Sequence, residues 1–243
     1  MTIETLLSIA VALIMFHAGA PAHAGEQSRS PVDGGRVVAI DVLLLPDATM
    51  KQRALAANAR LRGEFPTGYS LGRDQTAHIS LVHRYVHERD LPAIEAALKR
   101  VLARENPTEW TLRATGYAYG VWSGLALTNI AVAPTPKVVK FEADVVKAVQ
   151  PFAVPTGTPA AFHTTRELPK IEHEIVNYVA KFVPESSGAK YRPHVTIGVA
   201  HENYVKRLQA APFETYTFRP AGFAIYQLGN FGTAQRKIWE WKP

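Results

Sequence analysis

The sequence predicts an α+β protein in which antiparallel strands are interleaved with helices, rather than a doubly wound parallel sheet. Three observations carry this. Glu109–Tyr117 and Ser123–Val132 are two β-rich runs separated by Gly120, the pattern of a hairpin. Tyr216–Leu228 and Gln235–Trp241 form a second pair around the turn Gly229-Asn230-Phe231-Gly232. Stretches with amphipathic spacing and their own caps lie between the strands.

Taken in order, Arg36–Leu45 is an apolar strand ended by Pro46. Asp47–Arg62 is Ala-rich with amphipathic spacing, a helix begun by Asp47 or Thr49 as cap and closed by Gly63. His78–Val86 is a strand, and Asp90–Arg104 a helix with Asp90 as cap and Pro92 in its first turn. After the first hairpin comes a helix over Thr135–Val149, capped by Thr135 with Pro136 at its first position. Pro151–Pro169 is rich in Pro, Thr and Gly and reads as an irregular connection between two halves. Ile171–Phe182 is helical, Tyr191–Val199 is a strand, Glu202–Leu208 is a short helix, and the final strand pair follows.

Residues 1–24 read as a secretory signal. An apolar stretch, Leu6 to Phe16, is followed by small residues ending in Ala22-His23-Ala24, an A-x-A site that leaves Gly25 as the mature start. The stretch is too short to span a bilayer, and the segment before it holds Glu4 and no Lys or Arg. The chain has no cysteine, which rules out a lipoprotein anchor and any disulfide, so stability must come from burial. The expectation is a periplasmic or secreted protein with one domain over residues 25–243, monomeric and off the membrane once the signal is removed. The net charge of +6 favours polyanionic or phosphorylated partners. No run of Lys or Arg and no Gly-rich phosphate loop supports extended nucleic-acid binding.

Two strings carry the chemistry: Ala77-His78-Ile79-Ser80-Leu81 and Pro193-His194-Val195-Thr196-Ile197. Residues two apart on a strand share a face, so His78 with Ser80, and His194 with Thr196, project together while Ile79 and Val195 point to a core. Two such strands side by side present two imidazoles and two hydroxyls to one small volume, as acid/base chemistry on a phosphate ester requires. With nine histidines in the chain, about one His-x-Ser/Thr is expected by chance. A third copy, His163-Thr164-Thr165, follows Pro155, Gly157 and Pro159, lacks the apolar alternation, and reads as loop. Both strong copies open runs of strand character, one in each half, which is consistent with an internal duplication.

These paired motifs, with a first strand Val37-Val38-Ala39-Ile40-Asp41-Val42 and a last hairpin containing Ala224-Ile225-Tyr226-Gln227-Leu228-Gly229, resemble the 2H phosphoesterase superfamily, most closely its 2′-5′ RNA ligase-like and cyclic phosphodiesterase group. The resemblance covers essentially all of residues 25–243. Tyr191-Arg192-Pro193-His194-Val195-Thr196-Ile197-Gly198 matches the family pattern closely; the first motif departs from it, with Ala77 where proline is common and Ser80 where threonine is common. The resemblance implies a bilobal fold whose two antiparallel sheets line a central cleft, with helices on the outer faces. It also implies chemistry at a 2′,3′-cyclic phosphate or a 2′-5′ phosphodiester of a nucleotide or RNA end, with no cofactor or metal. His78 and His194 are then the proton-transfer pair, and Ser80 and Thr196 the phosphate donors. Which histidine is acid and which is base stays open.

Arg192 shares parity with His194 and is a candidate phosphate clamp, although Pro193 disturbs the alternation. Tyr226 is a candidate for stacking on a base, although as an ordinary core aromatic it needs no function, and that reading is favoured. Thr76 and Arg84 share parity with His78 but fit structural or exposed positions. His83 lies five residues from His78, on the opposite face of a regular strand, so a metal set with His78 and His87 is disfavoured. His163, His173 and His201 fall in loop or helix contexts, and His17 and His23 leave with the signal. Two alternatives remain open: a non-catalytic phosphoryl-ligand or RNA-binding module on the same fold, and a histidine-cluster metallohydrolase.

Overall fold

Two antiparallel sheets organise the chain. The structure, a computed structural model, describes residues 35–72, 75–122 and 124–243, so the signal over residues 1–24 lies outside them. The first sheet contains β1 (Val37–Pro46), β2 (Ile79–His87), β5 (Ala153–Val154), β8 (Pro220–Leu228) and β9 (Ala234–Trp241), in the order β5-β2-β1-β8-β9. The second contains β3 (Leu112–Trp122), β4 (Leu125–Val132), β6 (His194–Ala200) and β7 (Tyr216–Phe218), in the order β6-β4-β3-β7. Every paired neighbour runs antiparallel, and the α+β class read from the sequence stands.

The sheets do not divide the chain into an N-terminal and a C-terminal half. β8 and β9 from the C-terminus complete the sheet begun by β1 and β2, and the Pro151–Pro169 segment contributes β5 to its edge rather than separating two lobes. The stretch expected as one strand, Tyr216–Leu228, breaks at Arg219, with β7 in one sheet and β8 in the other. Asp47 fixes this crossing. Its backbone N–H donates to the Arg219 carbonyl at 2.8 Å, Oδ2 accepts the Arg219 N–H at 2.8 Å, and Oδ1 accepts the Met50 N–H at 3.1 Å as N-cap of α1 (Ala48–Glu64). One carboxylate thus satisfies a helix start and a sheet switch together. Asp47→Ala is expected to cost about 2 kcal/mol, one cap plus one further charge-assisted hydrogen bond, measured by urea denaturation.

The other helices are α2 (Leu91–Leu102), α3 (Pro136–Val149), α4 (His173–Ser186) and α5 (Glu202–Ala210). Thr135 caps α3 through the Val138 N–H, as its sequence suggests, whereas the Asp90 side chain makes no cap bond and α1 continues through Gly63 to Glu64. α5 packs on β3 and β4, and α1 docks on β6. Buried Asn58 of α1 donates to the Ile197 and Tyr69 carbonyls at 2.8 and 3.1 Å and accepts from the Leu71 N–H at 3.0 Å. The approach is close enough that a Cβ on Gly198, whose φ is +139°, would meet Asn58 Nδ2 at 3.0 Å and Leu61 at 3.1 Å, so this position needs glycine for both reasons.

α2 and α3 pack against each other, and α3 and α4 both pack against β2. α4 departs from the expected arrangement of helices on outer faces. Its Ile175, Tyr178, Phe182 and Ser186 line the cavity beside the motif histidines, because its apolar face is buried against β2, and the Tyr85 hydroxyl donates to the Val176 carbonyl at 2.9 Å. No described helix is long and apolar enough to cross a membrane.

Candidate active site

Each motif strand carries a β-bulge directly after its hydroxyl residue. In β2, Ser80 pairs with Leu43 and Val82 with Val42, leaving Leu81 as the extra residue. In β6, Thr196 pairs with Asn129 and Gly198 with Thr128, leaving Ile197 extra. A bulge reverses the alternation beyond it. Consequently His83 pairs with Asp41 and lies on the same face as Ser80, which pairs with Leu43, two residues from Asp41. The expectation that His83 points away from His78 is corrected, and the bulge is the reason.

Three side chains, His78 and Ser80 of the first motif and His83 further along β2, meet at one carboxylate oxygen of Asp41 on β1. Asp41 Oδ2 accepts the Ser80 hydroxyl proton at 2.7 Å and lies 3.2 Å from His78 Nε2 and 3.3 Å from His83 Nε2. His83 Nε2 is also 3.1 Å from Ser80 Oγ. Asp41 is fully buried and His78 and His83 nearly so. His78 Nδ1 bonds the Thr76 carbonyl at 2.8 Å. With its Nδ1–H given to that carbonyl, the ring turns Nε2 toward the Asp41 carboxylate, a placement that favours the charged form.

The second motif is held in the same way on one side only. His194 Nδ1 donates to the Arg192 carbonyl at 2.7 Å, so the neutral ring has its lone pair on Nε2. In both motifs the carbonyl two residues before the histidine therefore fixes ring orientation and tautomer. The segment leading into β6 is tied to the rest of the site: the Tyr191 hydroxyl donates to the Ser80 carbonyl at 2.9 Å, and buried Glu142 of α3 accepts the Gly188 N–H at 3.1 Å.

His78, Ser80, His194, Thr196 and Arg192 all line one cavity of about 290 Å³, near the lower end of small-ligand sites. Thr196 and its β4 neighbour Asn129 form part of the wall, as do Tyr191, Phe231 and the aromatic residues of α4. Arg192 is exposed at the mouth, with Nη1 donating to the Ala189 and Tyr191 carbonyls at 2.9 Å each. Lys190, which the strand pattern did not single out, adds a second cation to the lining. Asp41 and His83 are the other site residues that sequence reasoning missed. A lone acid within the apolar run Val37–Pro46 was the available signal for Asp41.

Two expected roles change. The single Ser80 hydroxyl proton goes to Asp41, so in this arrangement Ser80 is an acceptor toward the cavity and not a phosphate donor. Tyr226 pairs with Asp41 across β1 and β8, but it is buried among Leu43, Leu45, Ala224 and Ala234 and does not line the cavity. It is a core aromatic. The remaining candidates are structural: Arg84 donates to Gln150 at 2.8 Å, His87 Nδ1 contacts the Gly35 carbonyl at 2.9 Å, and His163 sits in a loop. Among the described residues no group of three or more His, Cys, Asp or Glu side chains is arranged to hold a metal ion.

Electrostatics separates the two motif histidines. Burial alone would raise the Asp41 carboxyl, but the His83 charge and the His78 and His83 hydrogen bonds outweigh it and hold the group at about 2. Burial also opposes a charged His78, yet the hydrogen bond and charge of Asp41 prevail and raise its pKa above the ordinary 6.5. His194 moves the other way. Its burial, reinforced by the charges of His78 and His83, lowers its pKa against the pull of the Arg192 carbonyl.

The sequence pattern of the 2′-5′ RNA ligase superfamily matches residues 51–228. No match is found among curated proteins. Among solved structures, the chain is similar to TT0787 of Thermus thermophilus, with 13% identity, a TM-score of 0.46, and coverage of 84% of this chain and 97% of that one. It is also similar to E. coli LigT complexed with ATP (12% identity, TM-score 0.44, 85% and 98% covered) and with 3′-AMP (13%, 0.43, 85% and 98%). The sequence match runs from the first turn of α1 to the end of β8 and includes both motif strands, and the chain belongs to the 2′-5′ RNA ligase superfamily of 2H phosphoesterases.

Proposed function

We propose that the protein is a phosphodiesterase that opens 2′,3′-cyclic phosphates of small nucleotides, with His194 as general base and His78 as general acid. One observation carries the reading. Two imidazoles line one cavity, each anchored through Nδ1, one with its Nε2 beside the Asp41 carboxylate, which favours its charged form, and the other with a bare Nε2. Hydrolysis needs this division. His194 Nε2 takes a proton from water as its oxygen bonds phosphorus. The phosphorus bond to one ribose oxygen breaks, and that oxygen receives the His78 Nε2 proton. The Asp41 carboxylate stabilises the imidazolium before transfer. With a ribose 5′-hydroxyl in place of water, the same pair serves ligation: His194 Nε2 takes the hydroxyl proton as its oxygen bonds phosphorus, the bond to the 3′-oxygen breaks, and that oxygen takes the His78 proton, leaving a 2′-5′ linkage. The modest cavity favours a mononucleotide over an extended RNA.

Thr196 is the hydroxyl best suited to bond a non-bridging phosphoryl oxygen, since Ser80 is committed to Asp41. Thr196→Val is expected to lower kcat by about 100-fold, the scale of one lost oxyanion donor, with little change in melting temperature. Ser80→Ala should act mainly through the His78 pH dependence.

The test is a substrate panel on residues 25–243 with EDTA present, comprising 2′,3′-cyclic mononucleotides, 2′-5′-linked dinucleotides and ADP-ribose cyclic phosphate. Turnover of the cyclic mononucleotides, unaffected by chelator and absent in the His78→Ala/His194→Ala double variant, is the expected result. No turnover of any of the three, or turnover abolished by EDTA, would overturn the reading.

A further inference from the structure

We propose that His83 is a positioning residue that holds the Asp41 carboxylate and the Ser80 hydroxyl in place while His78 gives up its proton. The inference rests on the reading of His78 as the acid. His83 Nε2 stands within 3.3 Å of Asp41 Oδ2 and 3.1 Å of Ser80 Oγ, so it serves the same carboxylate oxygen as His78. Its ring is 3% exposed and lies against Phe182 at 4.5 Å between centroids, with Tyr178 edge-on at 5.6 Å. This packing fixes the direction of its N–H.

The need for such a residue follows from burial. When His78 transfers its proton to the departing oxygen, Asp41 loses a cationic partner and is left as a fully buried carboxylate. An ionised carboxyl without partners in that environment takes up a proton or moves. The His83 N–H and the Ser80 hydroxyl keep it satisfied, so the proton leaving His78 goes to substrate and the carboxylate remains aligned for the next cycle. His83 also competes with His78 for Oδ2, which keeps the His78 proton from being bound too tightly to transfer. Around His83 stand Asp41 of β1, Ser80 of β2, His78 just ahead of β2 and Tyr178 of α4, and its charge reaches His194 of β6.

The experiment compares His83→Phe, which keeps an aromatic ring in the slot beside Phe182 but removes the N–H, with His83→Gln, which restores an N–H donor at similar reach. The readout is the NMR titration of the His78 ring, identified by its absence in His78→Ala, together with kcat on 2′,3′-cyclic mononucleotides. In His83→Phe, Asp41 is shared only between His78 and the Ser80 hydroxyl, so the His78 midpoint should rise by about half a pH unit or more. Turnover should fall about tenfold, the scale of one lost charge-assisted hydrogen bond. His83→Gln should return the midpoint toward wild type and recover most of the lost kcat. An unchanged His78 midpoint in His83→Phe would overturn the proposal, as would a His83→Gln variant as impaired and as displaced in midpoint as His83→Phe. If His83→Phe fails to fold, His83→Leu, which also removes the N–H, takes its place with the same two outcomes. The titration needs no substrate. A shifted midpoint in a protein inactive on cyclic phosphates would therefore refute the reaction assignment and leave the role of His83 standing.

Discussion

A His194→Ala variant is expected to hydrolyse a 2′,3′-cyclic mononucleotide at about 1% of the wild-type rate or less, the scale of one lost acid/base group, and His78→Ala should match it. The two losses have different origins. Removing His194 deletes the bare Nε2 proposed to accept the water proton, and its ring is anchored by the Arg192 carbonyl alone. That ring is part-exposed at the end of an edge strand, so the melting temperature should barely change. Removing His78 deletes the acid and also leaves Asp41 short of a partner in a buried site, so a drop in melting temperature should accompany the loss of rate. Single-turnover rates and thermal melts on the two variants separate these effects.

Asp41→Asn is the second large change. It keeps the shape of the side chain but replaces a carboxylate that accepts from Ser80 and lies within 3.3 Å of the His78 and His83 Nε2 atoms with an amide that cannot hold the His78 ring charged. Breaking a buried charge pair costs about 3 kcal/mol or more, and the rate should fall about 100-fold because the acid is no longer charged at neutral pH. The stability cost depends on pH with a definite sign. Asp41 is held at about 2, so its contribution is present above the ordinary carboxylate range and fades as pH falls through about 2. His78 is raised, so the pair's contribution is present below 6.5 and is lost as pH rises through the raised value. The stability gap between wild type and Asp41→Asn should therefore be widest in mildly acidic solution and close toward alkaline pH, as denaturant titrations across pH would record.

What was legible in the sequence was what local chemistry dictates. His78 with Ser80 and His194 with Thr196 stand together in one cavity because strand alternation is a local rule and Ile79 and Val195 supply the buried counterparts. Asp47, Thr135 and Pro136 mark helix starts because a cap is set by a few adjacent residues. Long-range features were not legible. The bulge at Leu81, which brings His83 to Asp41, depends on the register of β1 against β2 and leaves no local mark. The break at Arg219 is decided by Asp47, 172 residues away in the chain. Tyr226 has a cleft-facing parity, yet Leu43, Leu45, Ala224 and Ala234 enclose it. α4 has an amphipathic pattern that fits an outer helix, and only its packing on β2 turns Tyr178 and Phe182 toward the site. The proposed division between acid and base was hidden for the same reason, since it rests on a partner from another strand.

The pH dependence of kcat/KM on a 2′,3′-cyclic mononucleotide, in wild type and Asp41→Asn with EDTA present, tests that division most directly, because it reports the free enzyme's acid and base. The expected wild-type profile is a bell whose acid limb lies below 6.5, where His194 must lose its proton, and whose alkaline limb lies above 6.5, where His78 must keep one. In Asp41→Asn the alkaline limb should move to lower pH while the acid limb stays in place. An acid limb that moves with the Asp41 substitution while the alkaline limb does not would reverse the assignment of the two histidines, and a profile without two limbs would contradict the two-histidine mechanism itself.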